Sequence, residues 1–474
     1  MTAVRQPAAG REVFGHPVGL YVLFLTEMWE RFCFYGMRAL LALYVAHHLA
    51  RPEIGAHVPG LFAVERTLVR AFGSLDDEQL ADQIYGVYTA CVFLTPFFGG
   101  ILADRVLGQY RSVIVGGVIM AVGEFMLMSE ALFLPGLLAL VIGNGCFKPN
   151  ITTQVGGLYP AGDPRRDRAF NVFYVGINLG AWFAPLVCGT LGQTVGWRWG
   201  FGAAGVGMIV ALVVYVAGRK HLAPEPKKAR AAKRPGATAE RPSPLTRSER
   251  RKVVALIALC ALNVSFWGVY EQQGNSLQFW ADQSTDRHVL RWLGGGWPAW
   301  EMPSTWFQSV NPTFILLCTP VVNALWSRQS RRKTEPSSAT KMAIGCFFLG
   351  ISFAVMIGAG HAVDGGRLAS MGWLVGCSFL LTLGEIYLSP VGLSLVTKIA
   401  PARIVSMMMG LWFLSSFFGN YLSGYLATYA HRMPSTRFFA LLGAIALATG
   451  AVMLAVLAPV KRAIGDENAR DEGA

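Results

Sequence analysis

The chain has 474 residues, of which 53% are apolar and 15% charged, with a net charge of +13. This balance excludes an ordinary soluble domain. Most of the positive charge falls in segments between long apolar runs, so it reads as a membrane-topology signal and not as a face for nucleic acid. Apolar runs of about 20 residues or more fit membrane-crossing helices and exclude a closed β-barrel, whose strands are about half that length.

Twelve helical spans are expected, near residues 18–47, 83–105, 111–133, 135–158, 168–192, 198–218, 251–282, 300–326, 339–361, 370–399, 405–430 and 436–460. The fold class that follows is an all-α polytopic membrane protein. The first seventeen residues are polar and lead into a long, charge-bearing span, so the expectation is no cleavable signal peptide and a first span that serves as its own targeting signal.

That first span carries Glu27, Glu30, Arg31 and Arg38 within EMWERFCFYGMRALL. At about 100° per residue, Glu27, Arg31 and Arg38 share one stripe, flanked by Glu30 and Tyr35. Each charge opposes insertion at a helix centre by about 2.5–3.5 kcal/mol, and four unpaired ones by about 10 kcal/mol, so they must be paired or hydrated. Lining a polar pathway is one reading; ion pairs that only fix helix packing are the other. After the second span comes GGILADRVLGQYR, with Gly100, Asp104, Arg105 and Gly108 at a turn. Its glycines allow close helix approach, and Asp104 is expected near a helix N-terminus, where a carboxylate is favoured. The pattern resembles the gating motif of the major facilitator superfamily.

In the fourth span Lys148 is followed by Pro149, with Asn144 and Asn150 on either side. Proline frees backbone groups that the asparagines can satisfy, and a buried lysine requires an anion. Between Arg219 and Lys252 stand twelve Lys/Arg against three Asp/Glu, with repeated Pro and Ala and no apolar periodicity. This is expected to be a flexible basic linker, 221–250, between a six-helix bundle at 1–220 and a second at 251–474 that ends in a short tail. The basic segments fall on one side, so both termini are expected in the cytoplasm. In the second half Glu271 and Glu385 lie within apolar spans. Eight cysteines occur singly, without CxxC pairs or histidine clusters, so neither disulfides nor a metal is expected, and no cofactor. HExxH and GxSxG are absent, which weighs against an enzyme.

The first half thus offers cationic Arg38 and Lys148, the second anionic Glu271 and Glu385. This asymmetry suits a zwitterion, its carboxylate against Arg38 and Lys148, its amine against Glu385, its amides near Asn178 and Asn311, and Tyr35, Trp267 and Trp412 as tolerant walls.

EMWERFCFYG resembles the ExxERFxYYG signature of the proton-coupled oligopeptide transporter family, a branch of the major facilitator superfamily, and FYVGINLGAWFAP (Phe173 to Pro185) resembles its FYxxINxG signature. The resemblance implies that Glu27, Glu30 and Arg31 take part in proton coupling, and that Lys148 exchanges partners between Glu271, a further proton-coupling residue, and the ligand. It implies that Arg38 and Lys148 hold a peptide carboxylate and Glu385 the amino terminus. Proton-driven import of dipeptides and tripeptides by alternating access is then expected, in a bacterial inner membrane, by a functional monomer whose partners are peptide, protons and lipids. Phe34 and Phe93 stand where many relatives carry tyrosine, and the second span has no histidine, which leaves proton coupling to carboxylates. Alternatives are an importer of nitrate-like anions, a non-transporting peptide sensor, and a peptide-cleaving membrane hydrolase.

Overall fold

The computed structural model describes residues 12–160, 163, 165–224, 246–289, 300–401 and 404–471. Most of the expected linker, 225–245, lies outside the described residues, as do parts of both terminal segments and 290–299. In chain order the helices are α1 (Val18–Tyr44), α2 (Pro52–Gly55), α3 (Leu61–Phe72), α4 (Asp77–Leu102), α5 (Gln109–Met126), α6 (Phe133–Gly157), α7 (Arg165–Ala184), α8 (Trp197–Ala217), α9 (Arg247–Tyr270), α10 (Ser276–Gln283), α11 (Val310–Arg331), α12 (Ser338–Asp364), α13 (Met371–Ile399), α14 (Val405–Ala427) and α15 (Ser435–Asp471). Nine stretches of the described residues are long and apolar enough to cross a membrane. The helix that carries Glu27, Glu30, Arg31 and Arg38 is not among them.

Local chemistry sets the helix starts. Asp76 and Gln79 form a reciprocal capping box at α4, and Thr246 with Glu249 does the same at α9. Among the described residues two large apolar cores result, with a small third cluster of Val322, Ile386 and Tyr387 between α11 and α13. One is built from residues of α1 to α8, the other from α9 to α15, and Phe279 of α10 packs into the first.

The segment after α1, between the first two expected spans, contains the short helices α2 and α3. The expected continuous seventh span is also interrupted: α9 stops at Tyr270, Glu271–Gly274 forms a 3-10 turn, and α10 restarts at Ser276. Polar side chains hold the break open. Gln272 donates to the Gly268 and Ser423 carbonyls, Asn275 donates to Ser423 Oγ, and Ser276 Oγ donates to Gln272 Oε1.

Close approach between α4 and α6 rests on Gly99, where an added Cβ would come within 1.9 Å of the Gly145 carbonyl oxygen. At Gly100 the nearest atom is Pro149 Cβ at 4.0 Å, so the close contact expected of Gly100 belongs to its neighbour. We expect Gly99→Val to cost about 1–3 kcal/mol through overpacking, read as a lower thermal midpoint or loss of folded protein, and Gly100→Ala to leave that midpoint unchanged.

Candidate functional site

Four charges meet between α1 and α6. Arg31 donates from Nε and Nη2 to the two carboxylate oxygens of Glu30, at 2.6 and 2.5 Å, and its Nε stands 3.6 Å from Glu27 Oε1. Lys148 Nζ donates to the same Glu27 oxygen. Asn144 fastens the group to α4: its Oδ1 accepts from Arg31 at 3.4 Å, and its Nδ2 donates to the Val92 carbonyl at 3.1 Å. Both glutamates are fully buried, whereas the Lys148 side chain keeps 28% exposure. With all four ionised, two cations balance two anions. Low surrounding polarity makes that balance stringent, because any unpaired charge there costs several kcal/mol. Gly180 of the INLG run lets α7 lie against this stretch, since a Cβ there would meet the Met28 carbonyl at 2.2 Å.

Arg38 points across to the second half. It is ion-paired with Glu271 at the break between α9 and α10, donates from Nε to Tyr85 Oη at 2.5 Å, and lies 5.9 Å from the Tyr35 ring centre. Gly274 closes this contact, with no room for a Cβ against Tyr85 Oη. Lys148 is therefore on Glu27 and not on Glu271, because Arg38 occupies Glu271.

Glu385 sits in α13 with neutral donors only. The Tyr270 hydroxyl donates to its Oε2, and Asn311 Nδ2 reaches the same oxygen at 3.3 Å and Thr382 Oγ1 at 2.9 Å. Among the described residues it has no ion-pair partner, so its carboxylate is oriented by hydrogen bonds and open to a cation.

Other expected residues stand elsewhere. Asn178 donates to the Tyr174 carbonyl of its own helix at 2.9 Å. Trp412, expected to wall a cavity, is buried in the second core against Gly392, whose absent Cβ would lie 2.2 Å from the indole. Trp267 packs edge-on to Tyr270 at 5.1 Å. Phe34 lies under Arg31, 4.8 Å from its guanidinium carbon, and Phe93 is partly exposed. Asp104, expected at a helix N-terminus, is exposed in a π-helical turn, Ala103–Leu107, that prolongs α4 beyond the expected end. Arg105 shares that turn, and Gly108, at φ +80°, ends it in a conformation that favours glycine.

Sequence reasoning missed Tyr85, Tyr270 and Glu124. Tyr270 directly precedes Glu271, and that adjacency was the signal available for it. Glu124 is fully buried in α5; Cys33 Sγ donates to its Oε1 at 3.2 Å, and its Oε2 has no partner among the described residues.

A further set of contacts joins the halves where α1 ends and α4 begins. His431, in the turn between α14 and α15, places Nδ1 2.8 Å from Glu78 and Nε2 3.3 Å from Asp82. Nearby, Gln79 donates to the Thr428 carbonyl at 3.2 Å, Gln193 to Ser304 at 2.8 Å, and Trp306 to Thr190 at 2.8 Å. Burial pulls the His431 imidazolium down, but Asp82 and Glu78 outweigh it and hold its pKa up at about 10.

The POT family model matches residues 110–236 and 244–450. The peptide transporter YePEPT of Yersinia enterocolitica is 33% identical over 96% of this chain and 96% of its own. The chain belongs to the POT family. Other POT-like relatives include a di-/tripeptide transporter of Lactococcus lactis subsp. cremoris, 31% identical over 96% of this chain and 97% of its own. A crystal structure of a peptide transporter POT in complex with sulfate superposes with a TM-score of 0.80 at 34% identity, covering 96% of this chain and 97% of that one. A mutant peptide transporter POT in complex with alafosfalin gives a TM-score of 0.79 at 34% identity over the same shares. The POT-family chain is accordingly an integral membrane protein of the major facilitator type.

Proposed function

We propose that this POT-family protein is a proton-driven symporter that imports dipeptides and tripeptides by alternating access. The observation that carries the reading is the balanced cluster Glu27, Glu30, Arg31 and Lys148 together with a carboxylate, Glu385, that has no ion-pair partner among the described residues. Protonating Glu27 or Glu30 leaves the cluster with one cation in excess. Lys148, the partly exposed member, is then released for a peptide carboxylate. Proton and carboxylate thus favour each other's binding, and the coupling is reciprocal. The two glutamates share protons as a unit. Glu385 takes the peptide amine, Arg38 joins Lys148 at the carboxylate once Glu271 is protonated, and Asn311 and Tyr35 lie beside the bound backbone. A zwitterionic peptide adds no net charge, so each proton carried gains about 2.3 kcal/mol per 100 mV of inside-negative potential.

Twelve spans in two six-helix bundles joined by the linker, both termini in the cytoplasm of a bacterial inner membrane, and a monomer as the working unit complete the reading. The bacterial sources of the similar peptide transporters support the membrane assigned, and the basic segments of the sequence support the orientation. In proteoliposomes held at negative-inside potential, adding dialanine outside is expected to acidify the lumen, as read by an entrapped pH dye; peptide entry without acidification would contradict the coupling.

The contacts around His431 supply an outer closure in this scheme. Its imidazole faces Glu78 and Asp82 of α4, with Asp76 just before that helix and His47 and Asp282 nearby, themselves 3.8 Å apart. Opened to water, His431 returns to an ordinary pKa of about 6.5. Closing therefore takes up a proton, and the closed state is fully favoured below about pH 6.5 and weakens as pH rises toward about 10. Spin-label distances between the outer ends of α4 and α15 are expected to report a closed fraction that falls with rising pH in the wild type, stays flat in His431→Lys, and is low throughout in His431→Gln. An identical pH dependence in all three would contradict this closure.

A further inference from the structure

Two cavities meet outside the peptide site, at the end of the first bundle where α5 leads to α6 and α7 to α8. The first, about 700 Å³, is a groove lined by apolar side chains that include Trp29, Phe125, Met128, Phe183, Trp199 and Val206. Along α8 it runs from Trp199 to Val210, which at about 1.5 Å per residue is a length of about 16 Å. One leaflet of bilayer hydrocarbon is about 15 Å deep. The second cavity, about 440 Å³, is lined by Tyr44, His48, Ser129, Glu130, Trp197 and Arg198, and Met128 lines both. An acyl-length apolar groove thus continues into a small polar chamber.

The chamber's level is fixed by tryptophan. Trp197 and Trp199 flank Arg198, and indoles gather at the boundary between hydrocarbon and headgroups. Arg198 is exposed, 5.4 Å from the Trp199 ring centre, and makes no ion pair among the described residues. Glu130 Oε1 accepts from His48 Nε2 at 2.8 Å, and its side chain keeps 47% exposure. Arg198 and the Glu130 carboxylate, which His48 orients, therefore line the same chamber above one apolar slot.

We propose that this composite site holds one phospholipid with an ethanolamine headgroup, its phosphate on Arg198, its ammonium on Glu130 and one acyl chain in the groove. The guanidinium offers paired N–H donors to phosphate oxygens. A primary ammonium donates hydrogen bonds to a carboxylate, whereas a choline has no N–H to give. A glycerol headgroup would satisfy Arg198 but leave Glu130 facing a lipid of its own sign. The site lies apart from the charges that bind peptide and stands whether or not the protein transports peptides.

The test is native mass spectrometry of the full chain in detergent, titrated with phosphatidylethanolamine, phosphatidylcholine and phosphatidylglycerol of equal acyl length. Wild type is expected to retain one ethanolamine lipid about threefold to fivefold better than either competitor, the scale of exposed charge pairs. Glu130→Gln should remove the preference for ethanolamine over choline, and Arg198→Gln should lower retention of all three. Equal retention of the three headgroups by the wild type, which needs no variant, would overturn the proposal, as would a preference that survives both substitutions. Either result would make the groove ordinary lipid-facing surface.

Discussion

Lys148→Ala is expected to abolish proton-driven peptide uptake while the protein still folds and inserts. Two consequences of the geometry combine. Removing the ammonium leaves Glu27 with only the more distant Arg31, at 3.6 Å, so the cluster holds two anions against one cation. The cluster is then unbalanced in every state, and the site loses the difference between loaded and empty states that drives coupling. The peptide carboxylate also loses its released partner. Truncating one member of a buried, hydrogen-bonded charge pair costs about 2–5 kcal/mol, or about 30-fold to several thousandfold in binding. Uptake of labelled dialanine into proteoliposomes, with the thermal midpoint as a folding control, checks this. Lys148→Arg keeps the charge but not the ammonium geometry and is expected to retain part of the binding with poor coupling. Normal driven uptake by Lys148→Ala would remove the carboxylate role of that residue.

The second large effect belongs to Glu385. Its carboxylate is held by Tyr270 and Asn311, the latter also bonded to Thr382, and has no ion-pair partner among the described residues, so in the proposed scheme a peptide ammonium completes it. Glu385→Gln preserves shape and one acceptor oxygen but removes the charge. A hydrogen bond to a charged group contributes about 1.5–3 kcal/mol, so dialanine affinity should fall by about 10-fold to 150-fold. N-acetyl-dialanine, which has no ammonium, is expected to bind wild type poorly and to lose almost nothing further in the variant. Competition binding with the two ligands on both proteins gives the four values required. An equal loss for both ligands would assign Glu385 to packing of α13 and not to the peptide amine.

Much of this site was legible because membrane insertion makes charges conspicuous. Glu27, Glu30, Arg31, Arg38, Lys148, Glu271 and Glu385 announce themselves against apolar surroundings, and the structure draws them into three neighbouring groups. Pairing was less legible than membership. Periodicity along α1 shows that Glu27 and Arg31 share a stripe, but which of two glutamates takes Lys148 depends on how α1, α6 and the α9–α10 break come together. The break itself escaped notice because FWGVYEQQGNSLQFW keeps enough apolar residues to read as one helix. Only the tertiary partners of Gln272 and Asn275 reveal it. Glycine spacing pointed to a close approach near Gly100, yet the contact falls one residue earlier, a rotation of about 100° on a helix. Trp412 shows the same limit from another side. An indole on an apolar helix has no signature that separates core from cavity wall, and Gly392 decides the matter by making room for it.

The most direct test of the central claim is accumulation of labelled dialanine in proteoliposomes under an inward proton gradient with negative-inside potential, for wild type with and without an uncoupler. The account predicts concentration of intact dialanine above the external level, lost with the uncoupler. Correctly reconstituted protein that binds dialanine but never concentrates it, or concentrates it equally with the uncoupler present, would contradict proton-driven symport.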